Sequence, residues 1–314
     1  MDLRDIINII LIVCASGIIF ILPSTIYTAM FLGIFGRGKP HFFDTEDLSG
    51  TAYYPYRDEL KQGVIDARQI ECEQISIRSS DGLQLVGRYY DKCADTTVLL
   101  VHGYQSNCFN NFSSLLKYYL SSGYNVLMID QRAHGLSGGC FTTAGCKEKY
   151  DVINWISWLD SYTSCENIFI HGISMGATTI GLASDKISNQ KVKGLIMEAG
   201  FTSFCEEMWL RSGKMFMKQA AMNYVLLCAK HLLGADIKER TTDALSKTTI
   251  PVLMLHGDID TDVPLEHTRE NFMACASEKE LLIVEGAPHT LCHLVGKETV
   301  ENKIEEFIAK YRSR

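Results

Sequence analysis

The chain has little of what would make it a nucleic-acid binder, a metalloprotein or a disulfide-stapled domain. Its 314 residues hold 30 lysines and arginines against 37 aspartates and glutamates, a formal net charge of −7, with no run of basic residues. Nucleic acid needs a basic surface, so that partner class is excluded. Eleven cysteines, an odd number, are scattered without a C-x-x-C pair or Cys/His ligand spacing. This argues against a disulfide framework and a structural zinc site, and most of them read as buried, reduced, small apolar residues. There is no glycine-rich phosphate cradle, no dinucleotide fingerprint and no H-E-x-x-H, so neither a cofactor nor a metal is expected. Disorder is not expected either, because 46% hydrophobic content can fill a substantial core.

What is present centres on Asn167 to Thr179, NIFIHGISMGATT. Ile168, Phe169 and Ile170 make a short apolar run of the kind that fills the middle of a parallel sheet. Gly172-Ile173-Ser174-Met175-Gly176 then fits G-x-S-x-G, in which the serine occupies a strained strand-to-helix turn and flanking small residues let backbone pass close by. The residues that follow can start a helix whose first N–H groups point back to where an oxyanion would form.

Taken in order, the chain opens with no charged residue from Ile6 to Gly36, and twelve of the seventeen residues from Ile6 to Leu22 are Ile, Leu, Val or Phe. At about −0.5 kcal/mol each, these contribute on the order of −6 kcal/mol to bilayer insertion, and the run exceeds the roughly 20 residues needed to span. A transmembrane anchor over residues 1–38 is the expectation, in preference to a cleaved signal peptide or a lipoprotein signal ending at Cys14. Arg4 faces Arg37 and Lys39 across the span, a slight bias that, with the unpaired cysteines, leans toward a cytoplasmic catalytic domain and leaves the orientation open. Residues 39–72 lack clear periodicity and read as a tether packed on the domain surface. From Glu73, EQISIRS, Asp81-Gly82 and LQLVGRYY read as a β-hairpin. The buried runs TTVLLV, YNVLMID, NIFIHGIS, VKGLIMEAG, PVLMLHGD and KELLIVEGA then alternate with helical stretches, which predicts an α/β domain over 73–314 with a mostly parallel, doubly wound sheet and an antiparallel N-terminal edge. Between about 201 and 248 no strand is needed. The Met- and Leu-rich stretch from Met208 to Leu233 predicts a small helical lid over the carboxyl ends of the strands.

A serine hydroxyl needs a base to attack a carbonyl, and the base needs a carboxylate to hold its tautomer. After PVLMLHG comes a loop with Asp258, Asp260 and Asp262; after LLIVEG comes Ala287-Pro288-His289, with His293 the close rival. Each candidate lies just past a separate strand, in the order serine, acid, histidine of the nucleophile-elbow enzymes.

On these residues the chain resembles the α/β-hydrolase superfamily, in its serine esterase, thioesterase and lysophospholipase-like branches, over about residues 73 to 312. Val101-His102-Gly103-Tyr104 resembles the HG loop after the third strand, Asp130 to Ser137 the D-x-R-x-H-G-x-S loop, Gly172 to Ala177 the GxSMGA elbow, and His256 to Pro264 the HGxxDxxVP segment. The departure is Pro288, where many members have glycine before the histidine. The resemblance implies Ser174, Asp260 and His289 as catalytic residues and the backbone N–H groups of Tyr104 and Met175 as the oxyanion hole, with no cofactor or metal. It also implies structural roles for His134 and His171 and a pairing of Asp130 with Arg132 that braces their loop. The expected activity is a membrane-anchored hydrolase of carboxylic esters or thioesters, the substrate a small acyl compound of lipid-like character. A peptidase or C–C bond hydrolase on the same machinery, or a non-catalytic binding protein of this fold, are the alternatives.

Overall fold

The computed structural model describes residues 28–37, 43, 48–214 and 218–312. All eight expected strands form, β1 Glu73–Arg78, β2 Gln84–Tyr90, β3 Thr96–Val101, β4 Asn125–Asp130, β5 Asn167–Ile173, β6 Val192–Glu198, β7 Val252–Gly257 and β8 Lys279–Val284. They make one sheet in the order β1-β2-β4-β3-β5-β6-β7-β8. β1 and β2 run antiparallel, and every pair from β4 and β3 onward is parallel.

The central strands are apolar on both sides, and their period-2 alternation divides them between two layers. Val98, Leu100, Val126, Met128, Phe169, Ile196, Leu253 and Leu255 face one helical layer. That layer holds α1 Arg57–Gln69, α2 Cys108–Ser121 and, at the chain's end, α10 Lys297–Tyr311. The intervening residues, Leu99, Val101, Leu127, Ile129, Ile168, Ile170, Leu195 and Met254, face the other. There α3 Glu148–Tyr162 inserts Trp155, Ile156 and Leu159 beside α4 Met175–Ala183. Asn107 caps α2 by accepting from the N–H groups of Phe109 and Asn110, which fixes where the chain leaves the β3 loop.

A third cluster lies over the carboxyl ends of the strands. Its helices are α5 Phe204–Arg211 and α6 Lys218–Cys228, which runs into a single π-helical stretch, Ala229–Leu233, closed by Gly234 in the left-handed conformation. α7 Thr241–Leu245 returns the chain to β7, and α8 Leu265–Ala274 and α9 Cys292–Val295 follow β7 and β8.

Two expectations are revised at the amino-terminal side. Residues 39–72, read as lacking periodicity, contain α1, whose Leu60, Val64 and Ala67 recur at helical spacing and are buried. Residues 28–35, which fall in the expected anchor, form a helix that packs on the third cluster through Phe31 and Phe35. Among the described residues no helix is long and apolar enough to cross a membrane, and the expected span from Ile6 to Leu22 lies outside them.

Candidate active site

Ser174 joins β5 to α4 with φ 54° and ψ −119°, a strained backbone for a residue with a side chain. Crowding explains the flanking glycines: a Cβ on Gly172 would stand 2.5 Å from the Gly176 carbonyl carbon, and one on Gly176 would stand 1.9 Å from the Val101 oxygen. No other residue fits there. The Ser174 N–H donates to the Glu198 carbonyl at 2.8 Å. Met175 opens α4, so its N–H belongs to the first turn, which has no intrahelical acceptor.

β3 ends beside this elbow, where the strand order reverses and open α/β sheets form their ligand crevice. A Cβ on Gly103 would lie 3.2 Å from the Ser174 Cβ, so the Gly103-Tyr104 backbone passes against the serine. Two buried histidines shape this loop. His102 Nε2 accepts from the Gln131 N–H at 3.0 Å while its Nδ1 donates to the Gly103 carbonyl at 2.7 Å; burial, first, drives its pKa down to about 3, so it stays neutral. His134 Nε2 accepts from the Gln105 N–H at 3.1 Å and Nδ1 donates to the Arg132 carbonyl at 2.8 Å. Burial pushes the Tyr104 phenol up to about 12, and it remains a donor.

His289 meets the serine directly, and Asp260 meets the far side of the same imidazole. His289 Nε2 lies 2.9 Å from Ser174 Oγ, and Nδ1 lies 2.6 Å from Asp260 Oδ2. The other Asp260 oxygen accepts from the N–H groups of Asp262 and Val263 at 2.9 and 2.8 Å, and His256 Nε2 stands 3.4 Å from Oδ2. Burial raises the Asp260 carboxyl, but the hydrogen bonds from His256 and His289 outweigh it and hold the group well below the usual carboxylate range. Asp258 accepts from the Gly286 N–H at 2.6 Å, and Asp262 faces Arg211 at 3.8 Å; neither is bonded to the histidine. His293 is turned away, to Ser114 and Glu301.

Asp130 and Arg132 do not pair. Asp130, the last residue of β4, is bound by Arg88 at 3.1 Å and by the Leu136 N–H at 3.0 Å, directly beneath Gly135, whose Cβ would overlap its carboxyl. Arg132 is also buried but reaches other carboxylates, gripped by Asp151 and Asp81 at 2.7 and 2.8 Å. His171 is packed behind the site, with Nδ1 2.9 Å from the Tyr119 hydroxyl and Nε2 3.8 Å from Glu198 Oε2. Glu198 is the residue that sequence reasoning passed over. Its carbonyl holds the serine, its carboxylate accepts from the Cys292 N–H at 3.2 Å, and it ties the elbow to the histidine loop. A carboxylate ending a buried apolar strand was the available signal.

Above Ser174 a cavity of about 320 Å³ opens between the lid and the amino-terminal helix, with Phe201, Phe204, Met208, Met222 and Val225 among its walls. Glu207 also borders it. Its carboxylate is bound by Arg211 and stands 3.5 Å from His267 Nε2, and against the raising effect of burial these partners hold its pKa down.

This sheet, this elbow and a crevice at the strand reversal define a hydrolase of the α/β fold. The model of the family described as X-Pro dipeptidyl-peptidase (S15 family) matches residues 52–235, more than half of the chain, and the chain belongs to that family within the α/β-hydrolases. A second model, described as TAP-like protein, matches residues 214–312. The chain is similar to YqkD of Bacillus subtilis, 28% identical over 249 residues that cover 76% of this chain and 80% of that one. It is also similar to the lysophosphatidylserine lipase ABHD12 of Danio rerio, 26% identical over 173 residues, 53% of this chain and 44% of that one. Among solved structures, a Pyrococcus furiosus esterase superposes with a TM-score of 0.64 at 25% identity, over 79% of this chain and 95% of its own.

Proposed function

We propose that the protein is a membrane-anchored serine hydrolase that cleaves carboxylic ester or thioester bonds of apolar acyl groups. The observation that carries this reading is a single imidazole, that of His289, bonded at once to Ser174 and Asp260. His289 takes the Ser174 proton as Oγ attacks the acyl carbon, and Asp260 holds the proton on Nδ1 so that Nε2 is free to accept it. The amides of Tyr104 and Met175 stabilise the oxyanion, each donor contributing about 3 kcal/mol. His289 then protonates the departing alcohol or thiol. Water, deprotonated by the same imidazole, attacks the acyl-enzyme and releases the carboxylic acid and the free serine. These steps use only the chain's own residues and water.

The apolar cavity beside Ser174 supports an acyl substrate, in keeping with relatives named as an esterase and a lipase. A peptidase reading draws on the family's description. A dipeptidyl-peptidase must hold a free amino terminus, and the cavity carboxylate of Glu207 is already neutralised by Arg211, so the acyl reading is favoured. The expected profile is kcat/KM rising from p-nitrophenyl acetate to octanoate by up to about fourfold, or about 0.8 kcal/mol, per buried methylene. A peak at acetate, or faster cleavage of Xaa-Pro anilides, would reject it.

The anchor reading rests on Ile6 to Leu22. Full-length protein is expected to pellet with membranes and resist carbonate extraction; a mature chain beginning beyond Ile21 would point to a cleaved leader instead.

A further inference from the structure

The end of the uncharged amino-terminal run docks on the active site. In the helix over residues 28–35, Phe31 and Phe35 are one turn apart and buried, at 5% and 0% exposure. Their rings pack against Phe141 and Phe204 at 5.8 and 5.9 Å. Met30 and Ile34, also one turn apart, lie on the neighbouring stripe and border the cavity that holds Ser174. Leu32 points outward, half exposed.

Polar contacts fix this helix in register. Gly36 bridges to Phe141, with Arg37 N–H donating to the Cys140 carbonyl and Thr142 N–H donating to the Phe35 carbonyl, both at 2.8 Å. The Arg37 guanidinium donates to the carbonyls of Gly135, Ser137 and Gly139. The Tyr104 hydroxyl donates to the Ile34 carbonyl at 2.5 Å, and Gln105 Nε2 to that of Gly33 at 3.1 Å. The receiving loop is itself stiff, because the buried Glu148 carboxylate accepts from the backbone N–H groups of Thr143 and Gly145 and from both threonine hydroxyls, of Thr142 and Thr143. A strand-like bridge, an arginine bonded to three carbonyls and two buried rings make a wall rather than a passing contact.

We infer that Met30 and Ile34 are specificity-determining residues: the amino-terminal helix supplies the wall against which the substrate's acyl chain lies, and the acyl site is incomplete without it. This rests on the serine-hydrolase reading above. Tyr104 links the two halves, since its backbone borders Ser174 and its hydroxyl holds the wall. Chain-length preference is therefore written partly in the segment ahead of the hydrolase domain.

The test uses full-length protein in detergent micelles, with competent sites counted by a small fluorophosphonate. Met30→Trp and Ile34→Trp fill the cavity, and each is expected to lower the octanoate-to-acetate ratio of kcat/KM at least fivefold, whereas Leu32→Trp, on the outward face, leaves the ratio within twofold. In the unaltered protein, a fluorophosphonate with a diazirine at the end of its octyl chain is expected to place adducts on the tryptic peptide that ends at Arg37. That measurement needs no variant to fold. Adducts confined to α5 and α6, or ratios within twofold in both tryptophan variants, would overturn the inference. Absence of any label on Ser174 in the unaltered protein would instead overturn the serine-hydrolase reading.

Discussion

Asparagine scanning of the acidic loop separates three carboxylates that stand within five residues of one another. Asp260 Oδ1 accepts from two backbone N–H groups, those of Asp262 and Val263. In the Asp260→Asn variant the new side chain must therefore keep its amide oxygen there and turn its NH₂ toward His289 Nδ1. Two donors cannot face each other, so the imidazole shifts to the tautomer with its proton on Nε2, pointing at Ser174, and can no longer act as base. The expected loss for a wrong tautomer is about 10⁴-fold in kcat, or about 5.4 kcal/mol at the transition state. Asp258→Asn keeps an amide oxygen for the Gly286 N–H, and Asp262→Asn loses only a half-exposed pairing with Arg211 at 3.8 Å. Each is expected to cost less than about tenfold. Steady-state kinetics on a p-nitrophenyl ester, with sites counted, makes the comparison. A crippled Asp258→Asn, or an Asp260→Asn variant within tenfold of wild type, would refute the reasoning.

The same carboxylate predicts a pH dependence of stability. Its pKa in the folded protein lies below the ordinary 3.8, so near and below pH 4 the unfolded chain binds the proton more readily; the stabilisation is complete above about pH 4 and is lost as pH falls toward the folded value. The Tm gap between wild type and Asp260→Asn should narrow over that window in thermal scans, and a gap that widens would contradict the assignment. At the elbow, Gly176→Ala puts a methyl 1.9 Å from the Val101 oxygen. It is expected to cost on the order of 3 kcal/mol or more in denaturant unfolding, and a loss below about 1 kcal/mol would mean that the backbone there yields to a methyl group.

The sheet was legible because each central strand is a short apolar run bounded by polar turns, and such runs have few other places to go. The elbow was legible for a local reason: Gly172, Ser174 and Gly176 satisfy one sharp turn within five residues. The Asp130-Arg132 pairing failed because proximity in sequence does not fix direction once a strand has ended; Arg88 and Asp151, 42 and 19 residues away from their partners, took those places. The docking of Met30 and Ile34 was hidden for a related reason. An uncharged helix written for a lipid surface and one written for an apolar cavity have the same composition, and only the position of Phe141, Tyr104 and the lid distinguishes them. In the sequence His256 is only part of a motif, because its placement 3.4 Å from Asp260 depends on how the loop folds back.

The central claim is that Ser174 is a nucleophile activated by His289. Intact-mass analysis after treatment with a fluorophosphonate, followed by peptide mapping, tests it most directly. A single phosphonyl adduct on the peptide that contains Ser174, absent from Ser174→Ala and strongly slowed in His289→Ala, is the predicted result. An unlabelled wild-type protein, or equal labelling of the Ser174→Ala variant, would contradict it.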